Sequence, residues 1–488
     1  MKLLIVAIAV ALSCCAAPTK QSYTGATQPQ ENQWTVLVYG AVDNDWERPF
    51  MQDLKGMLRG LDGVRGMETL LLIDRAPGYS RNAKTLLSEF EDTRLFRLTD
   101  GDVQPLSGKA HFPGITENTG VEMDLSDAST LRDFIRYGKE HYPAKHYAIW
   151  FVSHGEGPYS CPDETDGGDL FTAEISDVLK ESDSVDILGF DACLMASAEN
   201  AYQWRKRPGE FGADLFIAAA PVSSSWPYEE LFLGLQSGRS DTYASGAVDS
   251  ATALSPTVFA NYIVGTLRTQ ITEGKSGDRG LELDLQSWGA FSTASTEVAK
   301  RDLDRLAKQL WLDDAKKETL ALRGSGLEAE TFVYVWPEPE AELSMPFVDW
   351  VHICERIAAS ADFSKNARRL AKVAATSARK VVTASFGMAH YKGFTEGAHG
   401  LYLVFPEGDS FTEEGASYWS QMPWYSPLST ERAEATNPTD SPSYGSYAWC
   451  IDGAVPGNQE VDNWFELMDA WFDTESMTLP GGVNRYSF

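Results

Sequence analysis

The sequence predicts an α/β fold in which a largely parallel sheet is covered by helices on both faces. Three observations carry this. The strand-like segments are continuous apolar runs, as strands buried on both faces require. Segments with helical spacing separate one run from the next. The two residues best suited to catalysis, His154 and Cys193, each sit just past the carboxyl end of such a run, where open parallel sheets bind ligands.

In chain order, WTVLVYGAVDND (34–45) starts as an apolar strand and ends in a polar turn. WERPFMQDLKGMLRGL (46–61) has helical spacing, and METLLLID (67–74) is a second strand. TLLSEFEDTRLFRLT (85–99) mixes hairpin and edge-strand signals, and ASTLRDFIRYGKEHY (128–142) is an amphipathic helix. HYAIWFVSH (146–154), VDILGFDA (185–192) and ADLFIAAAP (213–221) are buried strands. From about residue 300 the pattern changes: RDLDRLAKQLWLDDAKKETL and FSKNARRLAKVAATSARKVV read as helices, AHGLYLVFP (398–406) as a strand and VDNWFELMDAWFD (461–473) as a helix. Residues 407–460 read as long loops. The expected division is a first domain over 33–300 and a mixed, helix-rich domain over 301–488.

A chain of 488 residues, 43% hydrophobic and 23% charged, is globular and buries a large core without disulfides. Its 41 basic against 70 acidic residues leave a net charge of −29. Such a surface repels nucleic-acid phosphates and anionic headgroups; it could attract cationic peptides, or serve solubility alone, the commoner role of such a balance. Residues 1–14 carry one lysine and an apolar run, Leu3 to Leu12, too short to span a bilayer. The run ends in Ser13-Cys14-Cys15 and resembles a bacterial lipoprotein signal, with lipidation at Cys14 or Cys15. Residues 15–32, rich in Pro, Gln and Thr, then form a flexible tether. The resemblance implies a lipid-anchored protein of the bacterial cell envelope that touches the membrane through its lipid alone. A monomer facing the periplasm or the exterior is expected.

Past the signal remain Cys161, Cys193, Cys354 and Cys450, too scattered for a disulfide framework and without metal-ligand spacing. In FVSHGEGPYS, His154 follows a strand and precedes glycines that let the backbone turn close to a substrate. In FDACLM, Cys193 follows the next clear strand. If those strands are neighbours, imidazole and thiol share a cleft. A free thiol is only a few per cent ionised near neutrality, and an imidazole can take its proton and later protonate a leaving amine. The N–H groups of Gly155 and Cys193 are the natural oxyanion donors. A helix starting at about Leu194 would set its positive end beside the sulfur. The bland alternative is a buried core cysteine.

TVLVYGAVDNDWE, YAIWFVSHGEG, DILGFDACLMASAENAY and SSSWPYEE together resemble the clostripain family of cysteine peptidases, in the clan of caspases, legumain and gingipains. The resemblance is clear from about residue 34 to 300, and AHGLYLVFP and the aromatic helix near 464–471 echo the family's C-terminal part. It implies a caspase-like α/β/α sandwich, a Cys193–His154 dyad and cleavage of peptide bonds, typically after Arg or Lys. Asp191 matches a pocket acid of the family; Ser223, Ser224 and Ser225 could hydrogen-bond a substrate, and Trp226 is a further substrate-binding candidate. Asp191 could instead cap the following helix. The stretch APVSSSWPY (220–228) carries no carboxylate before Glu229, where relatives have an acidic loop, so strict Arg specificity is not implied and Lys, or a small or polar side chain, stays open.

No cofactor is implied. The loop CPDETDGGDL (161–170) clusters Asp163, Asp166 and Asp169 and could hold calcium, although it lacks the helix–loop–helix spacing and also reads as a solvated loop. Cys161, seven residues past His154, is expected near the cleft rim as a spare thiol. His352, Cys354 and His399 read as packing or structural residues. The competing functional reading is a catalytically altered peptidase-like lipoprotein acting as a binding protein.

Overall fold

The computed structural model describes residues 32–76, 78–79, 86–220, 223, 225–236, 254–272, 286–324, 333–337, 342–387, 399–405, 447–454 and 460–472. The chain begins with β1 (Asn32–Val42), α1 (Glu47–Leu61), β2 (Met67–Arg75), β3 (Arg94–Thr99), β4 (Asp102–Pro105) and α2 (Ala128–His141). Then come β5 (Ala144–Val152), the β6–β7 hairpin (Tyr159–Asp163, Gly168–Phe171), α3 (Thr172–Val178), β8 (Val185–Asp191), α4 (Ala198–Gln203) and β9 (Ala213–Ala219). They are followed by α5 (Tyr228–Leu233), α6 (Pro256–Thr272), β10 (Ser287–Ser292), α7 (Thr296–Leu312), α8 (Lys316–Arg323), β11 (Val333–Pro337), β12 (Glu342–Asp349) and α9 (Trp350–Ala359). The last elements are α10 (Lys365–Arg379), β13 (Val382–Gly387), β14 (Tyr402–Val404), a short helix Ala448–Ile451 and a C-terminal helix Trp464–Phe472.

Nine strands form one sheet in the order β13-β10-β9-β8-β5-β1-β2-β3-β4. The central strands β9, β8, β5, β1 and β2 pair in parallel, and the outer strands on both sides are antiparallel. The predicted α/β architecture with a mostly parallel sheet is therefore present, and its two faces explain the continuous apolar runs. In β1, Leu37, Tyr39 and Ala41 enter one core, while Val36, Val38 and Val42 enter the other. In β5, Ile149 and Phe151 alternate in the same way with Ala148, Trp150 and Val152.

One core is closed by α1, α5 and α6, through Phe50, Leu54, Phe232 and Ile263. It also holds a Trp cluster in which Trp226 packs 5.3 Å from Trp150 and 6.2 Å from Trp288. Gly189 in β8 makes room for it, since a Cβ there would lie 2.7 Å from the Trp226 ring. The other core takes α2, α3 and α4 together with α7, α9, α10 and the C-terminal helix, through Leu131, Phe134, Leu303, Ile353, Ala371 and Leu467. Side-chain caps start several of these helices: Asp127 for α2, Ser197 for α4, Asp349 for α9 and Ser364 for α10.

The expected boundary at residue 300 falls inside α7 and does not separate two cores. The later chain adds β13 to the edge of the main sheet and supplies much of one helical layer. The reason was invisible locally, because an amphipathic helix does not declare which sheet its apolar stripe will cover. Strands β11, β12 and β14 form a second, three-stranded sheet. His399 is structural, as expected: its N–H donates to Asp349 at 2.6 Å, and its Nδ1 lies 3.0 Å from the same carboxylate. The lipoprotein signal, the tether and most of residues 407–460 lie outside the described residues. Among the described residues, no helix is long and apolar enough to cross a membrane.

A chain truncated after residue 300 should lack a cooperative melt and near-UV circular dichroism, because one face of its sheet would be stripped. A truncated chain that melts sharply would re-establish the two-domain division.

Candidate active site

Strands β5 and β8 are parallel neighbours with Val152 opposite Asp191, so the chain leaves both at the same edge of the sheet. His154 follows β5 and Cys193 follows β8. The two turns touch: a Cβ on Gly155 would lie 2.6 Å from the Cys193 carbonyl oxygen and 2.8 Å from Met195 Sδ. Only glycine lets the backbone approach this closely. Past Gly155 the chain folds back into β6, with Glu156 N–H donating to Tyr159 O (2.9 Å) and Cys161 N–H to His154 O (3.1 Å).

Cys193 is half-buried and sits in a turn, with Leu194 in the left-handed region at φ 61°. The expected helix at Leu194 does not form. The positive φ breaks the helical path, and α4 starts four residues later behind its cap Ser197. The sulfur's polar neighbours come from the end of β9 instead. Ser223 N–H donates to Sγ at 3.2 Å, and the Ser223 hydroxyl lies 3.7 Å away. Burial pushes the thiol up from its ordinary value; the two Ser223 groups pull it back, and Asp191 and Glu156 push it further up. The resting sulfur is therefore a neutral thiol near pH 7.

The imidazole has a partner that sequence reasoning missed. His154 Nε2 lies 2.6 Å from Asp45 Oδ1, and the Trp46 ring packs 5.5 Å away. Asp45 follows β1, which pairs with β5 in parallel. The ends of four successive strands, β1, β5, β8 and β9, thus lead to Asp45, His154, Cys193 and Ser223. A carboxylate just past a buried parallel strand was the signal that could have found Asp45. Among the described residues, neither the Gly155 N–H nor the Cys193 N–H has an acceptor.

The expected substrate-binding residues divide differently. The Asp191 carboxylate is fully buried; its Oδ1 accepts from Trp226 N–H at 3.2 Å and its Oδ2 from the Tyr228 hydroxyl at 2.8 Å. It neither faces open solvent nor caps α4. Trp226 is 1% exposed and belongs to the Trp core, so it is a packing residue, because Gly189 leaves a socket for it. Ser223 is buried against the sulfur, and Ser225 donates to Asp53 at 2.9 Å. Ser224 lies outside the described residues. Cys161 is no rim thiol: it is fully buried, which pushes it up to about 12.

The turn after Cys193 is braced by the late chain. The Tyr402 hydroxyl donates to Leu194 O, and Tyr402 N–H donates to Ala196 O at 3.1 Å. Val404 N–H reaches Glu199 Oε1 at 3.3 Å, and Tyr447 donates to Asn200 Oδ1 at 2.6 Å. Of the acidic-loop residues, Asp163 and Asp166 converge with Asp124, and Asp163 also converges with Asp43 and Asp74. Asp169 belongs to neither group.

The sequence model described as the clostripain family matches residues 38–464, across the boundary expected at 300. Clostripain of Hathewaya histolytica is 32% identical over 497 aligned positions, covering 96% of this chain and 92% of that protein. Among solved structures, an inactive zymogen C11 protease from Parabacteroides distasonis superposes with a TM-score of 0.51 at 18% identity, covering 82% of this chain and 98% of that one. A secreted C11 cysteine protease from Bacteroides thetaiotaomicron, solved with an irreversible peptide inhibitor, gives 0.48 at 20% identity, covering 80% and 97%. The sandwich is caspase-like, and this chain belongs to the clostripain family and is a cysteine endopeptidase.

Proposed function

We propose that the chain cleaves peptide bonds with Cys193 as nucleophile and His154 as base and then acid. The alignment of Asp45, His154, Cys193 and Ser223 at successive strand ends carries this reading. As the sulfur attacks the carbonyl carbon, His154 takes the thiol proton. The C–N bond breaks as His154 returns that proton to the leaving amine. A water, deprotonated by the same imidazole, then releases the acyl group and restores the thiol. Asp45, on Nε2, holds the ring and supports the imidazolium, leaving Nδ1 for the sulfur. The free N–H groups of Gly155 and Cys193 take the oxyanion.

The cut falls after Lys or Arg. Asp191 lies buried beneath the site, its carboxylate accepting from Trp226 N–H and the Tyr228 hydroxyl. Its field already reaches the sulfur beside which a substrate side chain would lie. The carboxylate acts from beneath the site rather than by a direct pair with the substrate. The chain's charge of −29 draws cationic peptides in the same sense. Lipid attachment at Cys14 or Cys15 and the tether over 15–32 would hold the enzyme at the cell envelope.

A peptide-library profile should give cleavage after Lys and Arg, and Cys193→Ala should abolish it with an unchanged melting temperature. Cleavage by Cys193→Ala would remove the nucleophile. Asp45→Asn should lower kcat by about 100-fold with KM little changed, and Asp45→Glu should recover part of it. An equal rise in KM would instead mark Asp45 as a substrate contact.

The thiol offers a separate test. Alkylation of Cys193 by iodoacetamide, followed by peptide mapping, should reach half its maximal rate above the pH of an ordinary cysteine. Ser223→Ala should move that midpoint further up, because the thiolate loses a hydroxyl donor while the neutral thiol loses little.

A further inference from the structure

We infer that His111, Glu140 and His141 form a zinc site, and that the ion ties the loop ahead of α2 to the end of that helix. His111 lies between β4 and α2, and Glu140 and His141 are the last two residues of α2. One ligand atom from each lies within 4.8 Å of the others. The site is remote from the catalytic line. His141 stands just before β5, whose nine extended residues place His154 about 30 Å further on.

The two imidazoles meet the carboxylate differently. His111 Nε2 lies 3.0 Å from Glu140 Oε2, a hydrogen bond. His141 Nε2 lies 3.9 Å from Glu140 Oε1, too far for one. That nitrogen is buried and has no hydrogen-bond partner among the described residues. A buried polar atom left unmatched is costly. A plain His–Glu pair accounts for His111 and leaves His141 unexplained, whereas an ion accounts for both. Tetrahedral zinc sits about 2.0 Å from each donor, which sets the donors about 3.3 Å apart. The two spacings at Glu140 bracket that value.

The donor chemistry selects the ion. Two imidazoles and one carboxylate suit zinc, while calcium and magnesium take oxygen ligands. Three protein donors leave one corner of the tetrahedron for a water. The Glu140 side chain is 65% exposed, so solvent reaches that corner, while the imidazoles of His111 and His141 are 16% and 27% exposed and form the inner wall.

The surroundings hold the donors in place. Gly108 N–H donates to Ile115 O and Phe112 N–H to Gly108 O, both at 2.9 Å, so the loop around His111 is closed on itself. Phe112 and Ile115, each 1% exposed, anchor it in the core. The Tyr137 hydroxyl donates to Ser107 O at 3.0 Å and docks the loop on α2. The Tyr137 ring stands edge-on to both imidazoles, 4.7 Å from His141 and 6.1 Å from His111. Donors fixed by packing lose little freedom when an ion arrives.

The test uses the full chain with Cys14→Ala, Cys15→Ala and Cys193→Ala, so that no accessible thiol competes for the ion. It is stripped with EDTA, dialysed and titrated with ZnCl2, read by calorimetry and thermal melting. Zinc should fill one strong site and raise Tm by about 3 °C at a hundredfold excess over Kd, and excess MgCl2 should not displace it. His111→Gln and His141→Gln should each lose the strong site and the rise. His141→Gln should melt with its parent in EDTA, because its Nε2 has no hydrogen bond to lose. His146→Gln should keep the zinc response, since that imidazole is matched to Asp186 at 2.9 Å. No zinc response in the parent, binding only at millimolar zinc, or an undiminished site in His141→Gln would each overturn the inference. These readouts use neither substrate nor the nucleophile, so their failure would leave the peptidase reading intact.

Discussion

The parallel pairing of β1, β5, β8 and β9 is the constraint on which the site depends. Pairing aligns Gly40 with Val152, and Val152 with Asp191. The residues that follow must then emerge along one line. A slip of one residue would turn every side chain of a strand to the other face. It would drive Trp150 out of its Trp cluster and Phe151 away from Phe190, which it stacks at 4.5 Å. The two cores therefore hold the catalytic line in place: large aromatic side chains on alternate faces make the wrong register too costly to adopt.

Electrostatics at that edge run against a ready-made thiolate. Asp191 and Glu156 both disfavour negative sulfur, and among the described residues no cation offsets them there. The helix dipole that would have offset them is absent, because Leu194 turns left-handed and α4 begins too late. Ser223 alone favours the anion. A neutral resting thiol follows from this balance.

The second half of the chain contributes support rather than a second body. α4 has six residues, too few to hold the preceding turn by its own hydrogen bonds. Tyr402 and Val404 in β14 and Tyr447 instead bond to residues 194–200 from outside. His399 fastens the start of that brace to the capping residue of α9. The nucleophile turn thus rests on residues two hundred or more positions away, and for that reason the peptidase does not end at residue 300.

Within the sequence, the strands were legible because a strand buried on both faces must be apolar at every position, and His154 and Cys193 stood out as candidates because they follow two such runs. Gly155 stood out with them, and the structure shows the close approach to the Cys193 carbonyl that it allows. Asp191 and Trp226 were visible as residues but not as roles. Only packing revealed that the carboxylate is met by Trp226 and Tyr228 and that Gly189 leaves the indole a socket. Asp45, Asp43 and Asp74 looked like ordinary polar strand ends. Chain order sets β1 and β2 far from β5, and only the crossovers of the parallel sheet bring Asp45 to His154 and gather three acids into one buried cluster. Local sequence determines what each segment can bury. Which strand ends become neighbours is a property of the closed sheet, and that was left to tertiary structure.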